Sequence, residues 1–148
     1  MAEQMIFVNL PVADLARARA FWTALGFGLD GRFSDDTAAC VVVSPAIHVM
    51  LLAREKFAGF APRPVGDPSR DTSVLLAFSR PSREAVDAFV EAALAAGGAD
   101  NDLTQEHGGF MYGRSVSDPD GHVIEVMWID VARAAPSFPG EMDAAVDA

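Results

Sequence analysis

Glu125 is the single charge in a stretch that otherwise reads as interior strand. It lies in the run Asp118-Pro119-Asp120-Gly121-His122-Val123-Ile124-Glu125-Val126-Met127-Trp128. A strand beginning at His122 alternates its side chains between two faces, so Val123, Glu125 and Met127 share one side while His122, Ile124, Val126 and Trp128 share the other. Both faces are largely apolar, and a carboxylate withdrawn from water costs several kcal/mol unless it is paired or bound to a cation. Glu125 therefore has a structural partner, a wetted sheet face, or a chemical task. The task open to a positioned carboxylate is proton abstraction next to a carbonyl.

Register decides between these readings. Pro119 and Gly121 at the second and fourth turn positions suit a type I turn followed by a left-handed residue, a three-residue loop with a bulge. Pro119 cannot enter the primed turns that two-residue hairpins prefer. The bulged register puts Ser115 opposite Glu125, with Gly113, Ser115 and Ser117 leaving room beside the carboxylate. A two-residue loop would instead set Arg114 against it as an ion pair.

Other polar residues carry competing readings. His48 is either a hydrogen-bonded core histidine or a group pointing where Met50 points. Asn9 shares the face of Phe7 and is either bonded to backbone or free to meet a ligand. His107, ahead of Gly108-Gly109, reads as a loop residue, and His122 lies on the face away from Glu125. Tyr112 and Arg114 share a face, where Arg114 is a surface cation or an anion anchor.

Two similar sets of elements position these groups. Residues 5–12 read as a strand and 14–25 as an amphipathic helix with inner positions Leu15, Ala18, Phe21, Trp22 and Leu25, closed by Gly26. Residues 27–33 form a strand interrupted at Asp30-Gly31, and 39–43 and 47–52 a strand pair. Residues 54–71 hold Pro62, Pro64 and Pro68 and read as a connector with at most one helical turn, either a pocket lid or a plain link. The order then repeats. A strand at 73–78 precedes a helix at 82–96 with inner positions Val86, Phe89, Val90, Ala93 and Leu94, then a weaker strand near 100–103 and the hairpin from 110 onward. The acidic, alanine-rich residues 131–148 read as a tail that drapes over a partner or stays disordered.

Composition bounds the function. The chain has 148 residues, 51% of them hydrophobic, and a net charge of −10, which fits one domain and argues against nucleic acid and anionic membranes as partners. Small molecules are the expected ligands. One cysteine, Cys40, permits no internal disulfide and fits a reducing cytoplasm. The sequence shows neither a signal peptide nor an apolar run of membrane-spanning length.

The run Asp-Pro-Asp-Gly-His-Val-Ile-Glu, with Met111-Tyr112-Gly113-Arg114-Ser115, Phe7-Val8-Asn9-Leu10-Pro11-Val12-Ala13-Asp14-Leu15 and Val49-Met50-Leu51-Leu52, resembles the vicinal oxygen chelate superfamily. That group includes glyoxalase I, extradiol dioxygenases and bleomycin-resistance proteins, and the likeness is strongest to its predicted lactoylglutathione lyases. The resemblance covers about residues 5–130. It implies an α+β fold of two βαβββ modules, residues 5–53 and 72–130, that curl into a cupped, partly open mixed-sheet barrel. It also implies a substrate held inside the cup and a homodimer.

Glyoxalase I holds a divalent metal with four groups, typically His and Glu. By position these correspond here to Phe7, Met50 (or His48 with a two-residue shift), Ser73 and Glu125, so only Glu125 matches. No metal cofactor is expected, beyond weak divalent binding at Glu125 with His48. The ligand pocket is expected to be lined by Phe7, Asn9, His48, Met50, Ser73, Ser115 and Met127. Two classes remain: a lyase or isomerase acting on a small oxygenated substrate with Glu125 as base, and a metal-free ligand-sequestering protein like the bleomycin-resistance proteins.

Overall fold

The computed structural model describes residues 2–134. Each half of the chain forms a mixed four-stranded sheet with a helix against one face. In the first, β1 (Ile6–Val12), β2 (Gly28–Asp30), β3 (Ala38–Ser44) and β4 (Ile47–Ala53) are ordered β1-β4-β3-β2. In the second, β5 (Leu75–Ser79), β6 (Ala99–His107), β7 (Met111–Ser117) and β8 (Val123–Ile129) are ordered β5-β8-β7-β6. The first and last strands of each half pair in parallel and the remaining neighbours are antiparallel. This is the expected α+β arrangement of two βαβββ modules, and the sheets do not close into a barrel.

The helices form where caps and periodicity direct them. Helix α1 (Leu15–Ala24) is capped by the Asp14 carboxylate, which accepts from the Arg17 N–H. Ser82 caps α3 (Arg83–Ala95) in the same way through the Ala85 N–H, each cap satisfying one otherwise unpaired donor. Ala18, Phe21 and Trp22 of α1 and Val86, Phe89, Val90 and Ala93 of α3 are buried. They join Leu10, Val12, Val49, Leu51, Val116, Ile124 and Val126 in a core that spans both halves. Leu94, expected inside, is substantially exposed. Aromatic contacts cross the seam: Trp22 meets Phe78 edge-on at 6.2 Å, and Phe27 lies 6.3 Å from Phe89.

Several boundaries differ from those read in the sequence. The connector opens with two turns of helix, α2 (Arg54–Phe60), because its first proline comes only at Pro62. The segment 27–33 is a short strand followed by a 3-10 turn, Gly31–Phe33, where Asp30 accepts from the Arg32 N–H. Strand β6 is longer than expected and runs to His107, which pairs with Met111, so His107 is a strand residue. A register shift between Asp100 and Thr104, with Asp102 at φ 56°, masks its alternation in the sequence. Residues 131–134, read as the start of a tail, form a short helix α4 (Val131–Ala134) with Ala134 buried. Residues 135–148 lie outside those described.

Candidate functional site

The core takes one face of each sheet and leaves the other open. On β8, Ile124 and Val126 are fully buried while Val123, Glu125 and Met127 are half-buried on the opposite face. The turn before β8 has the bulged geometry: the Asp118 N–H donates to the His122 carbonyl at 2.9 Å, the Gly121 N–H to the Asp118 carbonyl at 3.0 Å, and Gly121 has φ +103°. Ser115 therefore pairs with Glu125, and Ala77 flanks it on the other side. Two small neighbours leave space over the carboxylate. It opens into a recess of about 40 Å³ with Leu103, Gln105, Met111, Gly113, Ser115 and Met127 around it.

Arg114 turns to the helix side, where it donates to Asp87 at 3.1 Å and Asp100 at 2.9 Å. Tyr112 joins this network, its hydroxyl donating to Asp87 at 2.6 Å. That bond, with help from Arg114, holds the Asp87 carboxyl below its ordinary range; the same bond pushes the Tyr112 phenol up, against the opposing pull of Arg114. Arg114 is thus tied down as a structural cation rather than left as a surface charge or an anion anchor.

The first half presents Phe7, Asn9, His48 and Met50 on its open face, in the register Phe7 to His48 and Asn9 to Met50. The Phe7 ring, 40% exposed, stacks on buried His48 at 4.6 Å and 12°. The His48 Nδ1 has no hydrogen-bond partner among the described residues. Asn9 donates to the Phe7 carbonyl at 3.1 Å, the backbone-bonded alternative of its two readings. The His122 Nε2 lies 2.7 Å from the Pro11 carbonyl, fastening β8 to the end of β1, far from Glu125's face.

The expected pocket residues thus fall into three places. Glu125, Ser115 and Met127 share the recess. Phe7 and His48 form a stacked pair, with Met50 beside Asn9. Asn9 and Ser73 line a separate cleft of about 220 Å³, walled by connector residues Gly66, Asp67 and Pro68 together with Phe57 of α2. The connector is therefore a pocket wall as well as a link. Ser73 lies two residues before β5, and counting back from the caps Asp14 and Ser82 puts Leu75 in the place that Phe7 holds in the first half. Leu103 and Gln105 escaped the sequence reading because the bulge at Asp102 hides which face they share.

The donor set does not fit a divalent transition ion. Such a site needs three or four N, O or S ligands converging on one point, and among the described residues no three His, Cys, Asp or Glu side chains do so. Leu75 and Phe7, at corresponding strand positions, offer no donor at all. Cys40 is wholly buried, and burial pushes its thiol up, which makes it an inert core residue. No described helix is long and apolar enough to cross a membrane.

A family model described as the Glyoxalase/Bleomycin resistance protein/Dioxygenase superfamily matches residues 4–126. Among solved structures, a hypothetical protein from S. aureus is 26% identical, with 86% of this chain and 94% of that chain covered and a TM-score of 0.71. The fosfomycin resistance protein FosX from Listeria monocytogenes, complexed with Mn(II) and sulfate, is 17% identical, covering 94% and 100%, with a TM-score of 0.68. Lactoylglutathione lyase from Agrobacterium tumefaciens is 16% identical, covering 86% and 95%, with a TM-score of 0.62. No curated protein matches the chain.

Proposed function

The chain belongs to the Glyoxalase/Bleomycin resistance protein/Dioxygenase superfamily, and from that premise we propose a small-molecule pocket protein in which Glu125 is the working group. The observation that carries this reading is the Glu125 carboxylate on an open sheet face between Ala77 and Ser115, with Arg114 engaged on the far side. A carboxylate without a fixed cation is free to accept a proton from a bound molecule, which supports a lyase or isomerase acting on a small oxygenated substrate. Apolar side chains exposed on the open faces, Phe7 on one sheet and Leu75 on the other, favour a homodimer that covers them. A reducing cytoplasm suits the buried free thiol.

The mechanism on this reading is short. The substrate C–H adjacent to a carbonyl lies over the recess, Glu125 takes the proton, and returns it to the same or a neighbouring carbon. No step passes through a metal. A second reading, sequestration without chemistry, is favoured by the recess lining: Gln105 and Ser115 beside Glu125 provide no second group that titrates near neutral pH to act as the acid. Exchange of deuterium from carbonyl-adjacent positions across a panel of small ketones and aldehydes separates the two. Exchange abolished by Glu125→Gln supports the enzyme; tight ligand retention with no exchange supports the binder. Turnover of the hemithioacetal of methylglyoxal and glutathione is expected to be absent or very weak even with Zn or Ni supplied, and robust metal-dependent turnover would overturn the reading of Glu125 as a lone carboxylate.

A further inference from the structure

We infer that the Glu125 recess receives the protonated amine end of a small aromatic or apolar molecule and discriminates against anions; this rests on the reading above that Glu125 marks the ligand site. The recess is small. At about 40 Å³ the recess is far below the roughly 300–1,000 Å³ of a pocket that encloses a drug-sized ligand, so it takes a small charged end such as an ammonium group and leaves a ring outside.

Its charge favours a cation. Gln105 and Ser115 are neutral, and Ser115 Oγ already accepts from Asn101 Nδ2 at 2.9 Å. Arg114 contributes to the wall, but its guanidinium is held behind the sheet by Asp87 and Asp100. Cations on the first half are engaged as well: Lys56 by Asp35 and Thr37, Arg54 by the carbonyls of Val65 and Gly66, and Arg32 by Asp30. An ammonium entering the recess meets a carboxylate in a partly dewatered site, where a charge-assisted hydrogen bond is strongest. An anion meets only repulsion.

An apolar shelf adjoins the recess. Leu103 at the recess is 64% exposed. Apolar area of this kind beside a half-buried charge suits a ligand with an apolar body and a charged end.

Three probes of nearly equal size test the proposal: phenethylamine, phenethyl alcohol and hydrocinnamate, titrated into the full chain by calorimetry or ligand-observed NMR. The amine is expected to bind more tightly than the carboxylate by about tenfold or more. Glu125→Gln removes the preference, Glu125→Asp retains it, and Leu103→Ala weakens amine and alcohol alike. The proposal fails if hydrocinnamate binds as well as the amine, if the preference survives Glu125→Gln in a folded variant, or if the amine does not bind at millimolar concentration. An intact amine preference without deuterium exchange at any ketone would sink the catalytic reading alone.

Discussion

At the scale of single residues, Gly121 sets where Glu125 points. Its φ of +103° favours glycine, and a Cβ there would stand 2.5 Å from the Pro68 carbonyl oxygen. Gly121→Ala is therefore expected to lower stability by about 1–3 kcal/mol, measured by urea unfolding, because both the turn and the connector must shift. The titratable residues act in opposite senses. Asp87, held low mainly by the Tyr112 hydroxyl, and Asp35 and Asp67, held low by Thr37 and Ser69, stabilise the fold while ionised. Their contribution is fully present above the ordinary carboxyl value of 3.8 and lost as pH falls through their lower folded values. Asp118 is the reverse case. Burial raises it, against the pull of His122 and its backbone N–H, so the native state holds its proton more tightly and stability is lost as pH rises from 3.8 through the raised value. Asp118→Asn is expected to gain in stability relative to the parent as pH rises from 3.8 through that raised value, and denaturant curves at several pH values would show a flat difference if burial has no such effect.

At the scale of elements, the tight point is where α3 ends and β6 begins. A Cβ on Gly98 would lie 2.7 Å from the Ser117 carbonyl oxygen, 2.9 Å from the Ala93 carbonyl oxygen and 2.9 Å from the Phe21 ring. Two of these three are backbone and cannot yield by a rotamer change. Gly98→Ala is expected to cost about 1–3 kcal/mol through overpacking, and a thermal midpoint equal to the parent's would refute that close packing. The residue also joins the halves, since Phe21 belongs to α1 and Ala93 to α3. The hairpin β7–β8 is the element on which function turns: the bulge that sets Ser115 across from Glu125 also sends Arg114 to Asp87.

For the molecule as a whole, the shared core makes the two halves one cooperative unit. Phe89 of α3 is 4% exposed and reaches Phe27 of the first half. Phe89→Ala is expected to cost about 3–5 kcal/mol and to lower the transition of both halves together. Trp22 reports on the first half and Trp128 on the second, so with Trp128→Phe in the background the fluorescence of Trp22 should still move to lower denaturant; an unshifted Trp22 transition would mean that the halves unfold independently. Native mass measurement tests the dimer: a species of twice the chain's mass is expected, and a monomer at micromolar concentration would leave the exposed Phe7 and Leu75 without the cover proposed for them.

The amino-acid sequence by itself determined the order of elements, both helix caps, most of the buried positions and the turn that carries Glu125. Each of these depends on neighbours within a few residues: a capping side chain, a period of alternation, the fixed φ of Pro119 or the positive φ open to Gly121. Tertiary structure decided the rest. Which strand position corresponds to Phe7 depended on where β5 begins, and β5 begins at Leu75, two residues after Ser73. The length of β6 rested on its pairing with β7, since the bulge at Asp102 erases the local alternation by which Leu103 and Gln105 would have been read. The fate of Arg114 was likewise undecided until Asp87 and Asp100 were brought to it from other elements, because an ion pair between groups far apart in the chain leaves no periodic trace in the sequence.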